Sequence, residues 1–394
     1  MNKTYDKIFV GGGIASLMAA YQTKRMAVDA GVEYDILVLA ESIHPPTAVG
    51  SHITLALDGL GKLPSEGKDT MRVLMLDAMH ELCAIVDREK IACGLRKGYQ
   101  FLGRNAEEAR QLVDLIIRDF NYKEDYFREV PQDDVFRLSG FTHAWETDLI
   151  GQINAHDLLW GIQRAITELG GDVVVGRYYR YYRHHTARGK TELYTSYNRE
   201  MFESRNVPLM ATGAHHIQYM SKMRGQTYPE YTIAAHARLN PEHAQAISRR
   251  PIAGIDSQFA GDVLWATLDP KNIFTAGIGY TSTPRGERKL IRGVRSIFRE
   301  VLPDIADLYE DKLEFSFGAM TMTHNGMPII GRMTSYDVST GFGSGGLVAA
   351  TMAGKAWANS LVQGNHETLE TLEALQPQLF ERSRRARRQA PGVT

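Results

Sequence analysis

The chain of 394 residues has little cysteine, no excess of either charge and no long apolar run. Cys83 and Cys93 are its two cysteines, and neither stands in a Cys/His cluster, which excludes a zinc site. The 45 basic and 46 acidic residues nearly cancel, so no net field favours nucleic acid or an anionic membrane. No apolar run approaches the roughly 20 residues that cross a bilayer. We expect no metal, no nucleic acid and no membrane as partners, and a small molecule as the substrate.

Length, composition and the first residues predict a cytoplasmic enzyme of two domains. The start, Met1 to Tyr5, leads into a strand without the apolar core of a signal peptide. A composition of 43% hydrophobic and 23% charged residues is typical of a globular enzyme. A single hydrophobic core rarely grows to this length, so we expect two domains that share a long interface.

The first chemical motif lies near the N-terminus. An apolar strand at residues 7–10 is followed by three glycines and a helical pattern, and a second strand at 34–39 completes a βαβ unit. In such a turn one glycine permits the bend, another lets a pyrophosphate approach the backbone, and the helix N-terminus supplies N–H groups. Serine replaces the usual third glycine and is small enough for close helix packing. The motif predicts a dinucleotide site at Gly11, Gly13, Ile14, Ala15 and Ser16.

Glu41 ends the second strand, where a carboxylate can accept hydrogen bonds from the adenosine ribose. It follows Gly13 by 41 − 13 = 28 residues, which is longer than the usual spacing of about 20. An extended first helix explains the difference. The alternative is an exposed acid at a strand end.

Two further glycine motifs follow. An apolar strand over residues 207–211 ends in Thr212 and Gly213, where the backbone can lie against a cofactor. Later, residues 327–332 precede a glycine-rich loop that enters a small-residue helix, and such a loop offers backbone donors and a helix dipole to the flavin N1 and O2 region. The residues of this predicted contact are Gly341, Gly343, Ser344, Gly345, Gly346 and Leu347.

The elements between these motifs predict a second layer. Residues 70–120 carry apolar side chains spaced by three and four, which predicts a helical layer. Residues 232–239, 263–268 and 273–280 are rich in β-branched and aromatic residues, and a helix is predicted over 287–301. These segments predict a separate, mostly antiparallel sheet.

In this order and separation, the three motifs resemble the D-amino acid oxidase-like superfamily of FAD-dependent oxidoreductases, which includes glycine and sarcosine oxidases. The resemblance covers nearly the whole chain and implies FAD as cofactor. It implies an α/β fold in which a two-dinucleotide-binding-type Rossmann FAD domain is interleaved with a substrate domain of mostly antiparallel β-sheet plus helices. We expect the FAD-binding domain to comprise residues 1–75, 146–215 and 327–394, and the substrate domain residues 76–145 and 216–326.

The sequence departs from this family in two places. Many relatives carry an arginine that grips the substrate carboxylate ahead of the Pro-x-Ile-Gly segment, and here Met320 stands in that region. Some relatives attach the flavin through a cysteine of the same region, which this chain lacks. Attachment through a histidine near the N-terminal motifs also occurs, so Ser51 and His52 are candidate cofactor contacts. A lone histidine is more often a hydrogen-bonding residue.

The resemblance implies oxidation of a small amine or amino-acid-like substrate, with a hydride passing to flavin N5. Candidate residues of the substrate pocket are His324, Tyr280, Met320 and Arg332. We favour His324, because it precedes the flavin segment and can titrate near pH 7. The alternatives are a flavin-dependent monooxygenase and a flavin-binding subunit or sensor without turnover. The sequence leaves open whether O2 or another acceptor reoxidises the flavin, and which oligomer forms.

Overall fold

In the computed structural model the described residues are 3–43, 52–53, 59–177, 179–185, 190–195, 200–213, 226–249, 252–256, 264–281, 287–376 and 379–380. Their α-helices are α1 Ile14–Asp29, α2 Ser65–Arg88, α3 Ala106–Phe120, α4 Ala155–Glu168, α5 Pro241–Ile247, α6 Glu287–Val301, α7 Ala306–Tyr309, α8 Gly346–Ala358 and α9 Glu367–Ala374. Their strands are β1 Thr4–Tyr5, β2 Lys7–Val10, β3 Ile36–Leu39, β4 His52–Ile53, β5 Arg96–Gly103, β6 Phe127–Glu129, β7 His143–Gln152, β8 Asp172–Val174, β9 Tyr179–His185, β10 Lys190–Thr195, β11 Met201–Ser204, β12 Leu209–Met210, β13 Thr227–Arg238, β14 Ile252–Asp256, β15 Leu264–Leu268, β16 Ile273–Thr281, β17 Glu314–Thr323, β18 Ile329–Arg332 and β19 Asp337–Thr340.

A mostly parallel sheet, called the parallel sheet from here on, has the strand order β18-β19-β12-β2-β3-β8. The strands from β19 to β8 run parallel, and β18 pairs antiparallel with β19. Every residue of β2 and β3 is buried, which explains why both strands are apolar apart from Lys7. Helices α1 and α8 pack together, and the Gln22 side chain donates to the Thr351 carbonyl at 2.9 Å. The predicted βαβ unit is confirmed.

A buried ion pair joins strands of this sheet that are far apart in the sequence. The Lys7 ammonium contacts the Asp337 carboxylate and donates to the Val207 carbonyl at 2.8 Å. Its nitrogen also lies 5.8 Å from the centroid of the Trp357 ring. The side chains of Lys7 and Asp337 are 1% and 7% exposed. The pair therefore connects β2, the segment before β12, and β19.

The largest sheet, called the large sheet from here on, has the strand order β17-β13-β16-β15-β14-β5-β7-β4, and β6 pairs with β7. All of its pairings are antiparallel except the one between β14 and β5. A smaller sheet, β1-β11-β10-β9, contains the antiparallel hairpin of β9 and β10. The parallel sheet takes strands from the N-terminal, middle and C-terminal parts of the chain, and the large sheet takes its strands from the two stretches between these parts. The interleaved α/β fold is therefore confirmed.

The two faces of the large sheet pack against different cores. Register places Trp145, Phe101, Trp265, Gly277 and Ala234 in one row across it. Phe101 belongs to the hydrophobic core that also contains residues of α1 and α8. The alternate residues of β13 belong to a second core formed with α6. Because side chains alternate along a strand, the even-numbered residues of β13 face the side of the parallel sheet.

The structure corrects the prediction of one helical layer over residues 70–120. α2 and α3 lie there, but β5 separates them and pairs with β7 and β14. Phe101 and Leu102 enter opposite cores, so β5 is apolar on both faces and shows no alternation to identify it. The expected domain boundaries at 75/76 and 145/146 fall inside α2 and β7, and the division into domains stays a prediction. Within the described part of the chain, no helix is both long and apolar enough to cross a bilayer.

Candidate active site

The glycine turn after β2 is the first part of the site. Gly11 has a φ of 132°, and a Cβ on it would lie 2.3 Å from the Ala211 carbonyl oxygen, so glycine is required at this position. The end of β2 thereby approaches the end of β12. Gly13 caps α1, and a Cβ on it would meet no described atom within 4 Å. There is therefore room beside the N-terminus of α1, whose first N–H groups have no partner within the helix, among the described residues.

The segment after β3 lies against the same turn. A Cβ on Gly12 would lie 1.8 Å from the Ser42 carbonyl oxygen. Glu41, immediately before, has an exposed side chain, and its backbone carbonyl accepts from the Gly176 N–H at 2.9 Å. The glycine turn and a carboxylate are thus neighbours at the carboxyl edge of the parallel sheet. Ligands of open α/β sheets bind at this edge.

The two other glycine loops meet the end of β17. A Cβ on Gly213 would lie 3.9 Å from Thr321 Oγ1, and a Cβ on Gly341 would lie 2.5 Å from Thr323 Cγ2. Gly341 also has a φ of 75°, which favours glycine. Beyond it, residues 343–345 form a 3₁₀ turn that leads into α8. The large sheet and both glycine loops therefore converge at one place.

These features fit a dinucleotide cofactor. The helix N-terminus is open, the carboxylate beside it is exposed, and the hydroxyl of the fully buried Ser16 has no hydrogen-bond partner in the described part of the chain. The individual contacts of Gly11, Gly13, Glu41 and the other cofactor residues named from the sequence stay predictions. Ser51 lies outside the described residues, and His52 and Ser344 lie outside the described side chains.

The candidate substrate residues His324 and Met320 share one end of the large sheet. Met320 is 8% exposed and stands opposite Glu230 of β13. Met322 stands opposite Tyr228, and the exposed His324 ring lies 5.3 Å from the Tyr228 ring, centroid to centroid. We call this end of the sheet the substrate face. It is formed by Tyr228, Glu230, Thr232, Met320, Met322 and His324.

Sequence reasoning missed Tyr228 and Glu230. The predicted strand begins at residue 232, whereas β13 begins at Thr227, because Pro229 interrupts the strand pattern. Pro229 is tolerated there because the pairing of β13 with β16 ends at Tyr231. The alternation of Tyr228, Glu230 and Thr232 was the available signal.

The other two candidate substrate residues, Arg332 and Tyr280, are not among the described side chains of the substrate face. The Arg332 backbone N–H donates to Glu373 Oε1 at 2.8 Å, and its Nε lies 3.3 Å from the same oxygen. Its Nη2 also reaches Glu370 at 3.5 Å. Arg332 thus links β18 to α9, and its positive charge is placed beside the carboxylates of that helix. Tyr280 lies in β16, and its side chain is outside the described part.

Hydrogen bonds fix the turn that carries His324. Thr323 Oγ1 donates to the Met327 carbonyl at 2.8 Å, and Gln376 Nε2 donates to the same carbonyl at 2.8 Å. Gln376 Nε2 also donates to Asn325 Oδ1 at 2.9 Å. Gln376, which follows α9, therefore fixes the connection between β17 and β18 by hydrogen bonds.

Comparisons with known proteins agree with this geometry. The sequence profile of the FAD dependent oxidoreductase (DAO) family matches residues 8–360. No curated protein sequence matches the chain. The chain is similar to the solved structure of L-proline dehydrogenase from P. horikoshii, with a TM-score of 0.71 and 15% sequence identity over 96% of this chain and 99% of that chain. It is similar to glycine oxidase from Geobacillus kaustophilus, with a TM-score of 0.65 and 17% identity over 93% of this chain and 96% of that chain. It is also similar to FAD-bound L-α-glycerophosphate oxidase from Mycoplasma pneumoniae, with a TM-score of 0.69 and 12% identity over 92% of this chain and 95% of that chain.

Proposed function

Because the chain belongs to the FAD-dependent oxidoreductase family, we propose that it oxidises a small amine or amino-acid-like substrate. Bound FAD supplies a two-electron acceptor that takes a hydride at N5. The substrate loses that hydride from carbon and a proton from nitrogen, and leaves as an imine. The approach of Thr321 and Thr323 to the Gly213 and Gly341 loops carries the proposal. It brings β17, the strand that bears Met320 and Met322, to the carboxyl edge of the parallel sheet. That edge, where the glycine turn, Glu41 and the two glycine loops lie, is called the cofactor edge from here on.

The residues of the cofactor edge would hold FAD in parts. The N–H groups after Gly13 would receive the pyrophosphate, and Glu41 would accept hydrogen bonds from the ribose. The 341–346 loop and the N-terminus of α8 would donate to the flavin ring. Thr212 and Gly213 would lie against the ring from the end of β12.

The substrate face supplies orientation and proton handling. Met320 and Met322 would give an apolar wall that excludes water from the reacting carbon. His324, beside Tyr228, would accept the proton from the amine nitrogen, because a neutral imidazole has one ring nitrogen that is an acceptor. A neutral amine is required, because a protonated nitrogen has no lone pair to stabilise the developing imine.

Anaerobic mixing of the FAD-loaded protein with amines, amino acids and hydroxy acids tests this function. Bleaching of the flavin absorbance by an amine or amino acid is expected. Glycerol 3-phosphate belongs in the panel because one similar structure is a glycerophosphate oxidase. Bleaching by hydroxy compounds alone would contradict amine oxidation, and the acceptor is then identified by reoxidation with O2 or a dye.

A further inference from the structure

A cavity lies on the side of the large sheet that is covered by α6. Its volume is about 430 Å³, within the range of roughly 300–1,000 Å³ for small-molecule sites. It is lined by residues of the segment 132–142, by α5 and by residues 301–305 at the end of α6, and we call it the α6 cavity. No lining residue belongs to the substrate face or to the cofactor edge. A ligand bound there would therefore not be the molecule that is oxidised.

Backbone hydrogen bonds hold the walls of the α6 cavity. The Arg137 N–H donates to the Ile247 carbonyl at 2.9 Å, and the Ser139 N–H donates to the Val301 carbonyl at 2.9 Å. These bonds join the segment 132–142 to the ends of α5 and α6. The buried side chains among the lining residues are all apolar: Val135, Leu138, Phe141, Ile247, Val301 and Leu302. The cavity is thus preformed and can receive an apolar group.

Two opposite charges lie at the rim of the α6 cavity. Arg137 and Asp304 both line it, and both side chains are exposed and open to a ligand. The Arg137 guanidinium donates to the Asp133 backbone carbonyl at 3.4 Å, which leaves its charge without a carboxylate. Within the part of the chain that the structure describes, neither Arg137 nor Asp304 forms an ion pair. A ligand that carries both charges would neutralise both residues.

His243 adds a donor to the same cavity. The Asn240 N–H donates to the Tyr309 hydroxyl oxygen at 3.0 Å, and that oxygen lies 2.9 Å from His243 Nδ1. Because the hydroxyl oxygen already accepts from the backbone, its own hydrogen is directed to Nδ1, and the imidazole hydrogen is then on Nε2. Nε2 makes no hydrogen bond to the described residues. His243 therefore offers one N–H on a ring that is held in place.

We propose that the α6 cavity binds a free amino acid with an apolar side chain. Arg137 would bind the carboxylate with His243 as a further donor, Asp304 would bind the ammonium, and the side chain would lie on the buried apolar residues. A plain carboxylic acid would leave Asp304 unpaired, and a plain amine would leave Arg137 unpaired. This inference goes beyond the proposed function, because it assigns a second ligand site whatever substrate is oxidised.

Three probes with one carbon skeleton test the need for both charges: L-leucine, 3-methylbutan-1-amine and 4-methylpentanoate. The first carries both charges, the second the ammonium alone and the third the carboxylate alone. The FAD-loaded protein is titrated in a calorimeter without O2, after dithionite has reduced the flavin, so that no probe is oxidised. Leucine is expected to bind about 3- to 10-fold more tightly than either other probe, as for one exposed charge-assisted contact.

Substitutions at the rim assign each charge. Arg137→Gln is expected to weaken leucine and 4-methylpentanoate by about 3- to 10-fold and to leave the amine unchanged. Asp304→Asn is expected to weaken leucine and the amine and to leave the carboxylate unchanged. Arg249→Gln is the matched control, because Arg249 is exposed, follows α5 and does not line the cavity. It should bind all three probes as the wild type does.

A steric pair of variants locates the site without changing a charge. Ala246 and Gln245 are exposed neighbours on α5, and Ala246 lines the cavity whereas Gln245 does not. Ala246→Trp would fill the cavity and is expected to abolish leucine binding there, and Gln245→Trp should retain it. The melting temperature of each variant, with and without leucine, confirms that the protein is folded and reports binding independently.

The outcomes separate this inference from the proposed function. Equal affinity for the three probes, no binding of leucine, or leucine binding that survives Ala246→Trp would overturn the amino acid site. None of these results would touch amine oxidation, which is decided by bleaching of the oxidised flavin. If Ala246→Trp does not fold, the opposite responses of Arg137→Gln and Asp304→Asn to the two singly charged probes still decide the matter.

Discussion

Replacement of Lys7 by methionine is expected to destabilise the protein more than any loss of a surface charge. Methionine keeps most of the apolar stem but removes the ammonium, so Asp337 is left as a buried carboxylate without its cation. Breaking one side of a buried pair costs about 3–5 kcal/mol. The Val207 carbonyl also loses its donor. At about 2–4 °C per kcal/mol for domains of moderate size, a fall in melting temperature of roughly 6–20 °C is expected.

The control for this prediction is the double variant Lys7→Met/Asp337→Leu. Replacing both partners by apolar residues of similar size is often close to neutral, so the double variant should recover most of the lost stability. The matched surface control is Lys3→Met, because Lys3 pairs with Asp35 and Asp172 through side chains that are about half exposed. Thermal unfolding at one fixed FAD concentration measures all three, since cofactor binding raises the melting temperature. A Lys7→Met protein that melts with the wild type would refute the reasoning.

Four other predictions follow. Glu41→Ala should weaken FAD binding by about 1.5–3 kcal/mol, measured by flavin fluorescence titration, and unchanged affinity would return Glu41 to the role of a surface acid. The wild type should be reduced slowly by glycine, sarcosine and D-alanine, and Met320→Arg should accelerate all three, whereas fast wild-type reduction would contradict an apolar contact at Met320. Burial lowers the pKa of His236, so the unfolded chain binds more protons than the native protein, and stability should fall as the pH drops below about 6.5. His236→Gln should reduce that acid sensitivity in urea titrations, and an identical pH profile would count against it. Limited proteolysis should yield no stable FAD-binding fragment of residues 1–150, because such a fragment lacks the 341–346 loop.

The cofactor edge was predictable because its signals are local. A strand, three glycines and a helix follow one another in sequence, so Gly11 and Gly13 can be assigned without knowledge of the rest of the chain. Glu41 follows from the same unit, and the 28-residue spacing is explained by α1 and the short segment that connects it to β3. The pairing of Lys7 with Asp337 was not predictable, because the two residues are 330 positions apart.

The substrate face was harder to predict because it depends on strand register. A shift of one residue turns every side chain of a strand to the opposite face, and the sequence pattern of β13 did not fix its start. Arg332 shows the converse problem, since its position in sequence suggested a substrate contact. Its ion pair with Glu373, 41 positions away, depends on how α9 packs against β18.

Met320 has a clearer meaning once its place in the large sheet is known. From the sequence alone it is a missing arginine, which predicts weaker binding of carboxylates and leaves the preferred substrate undefined. In the structure Met320 is 8% exposed and Met322 lies two residues further along the same strand, so both methionines belong to one face of the sheet. A thioether there excludes water and cannot make the paired hydrogen bonds that a guanidinium makes with a carboxylate. Met320→Arg restores that cation at one position and leaves the glycine turns untouched, so faster flavin reduction by small amino acids in this variant is the result that would support the assignment of Met320 to the substrate pocket.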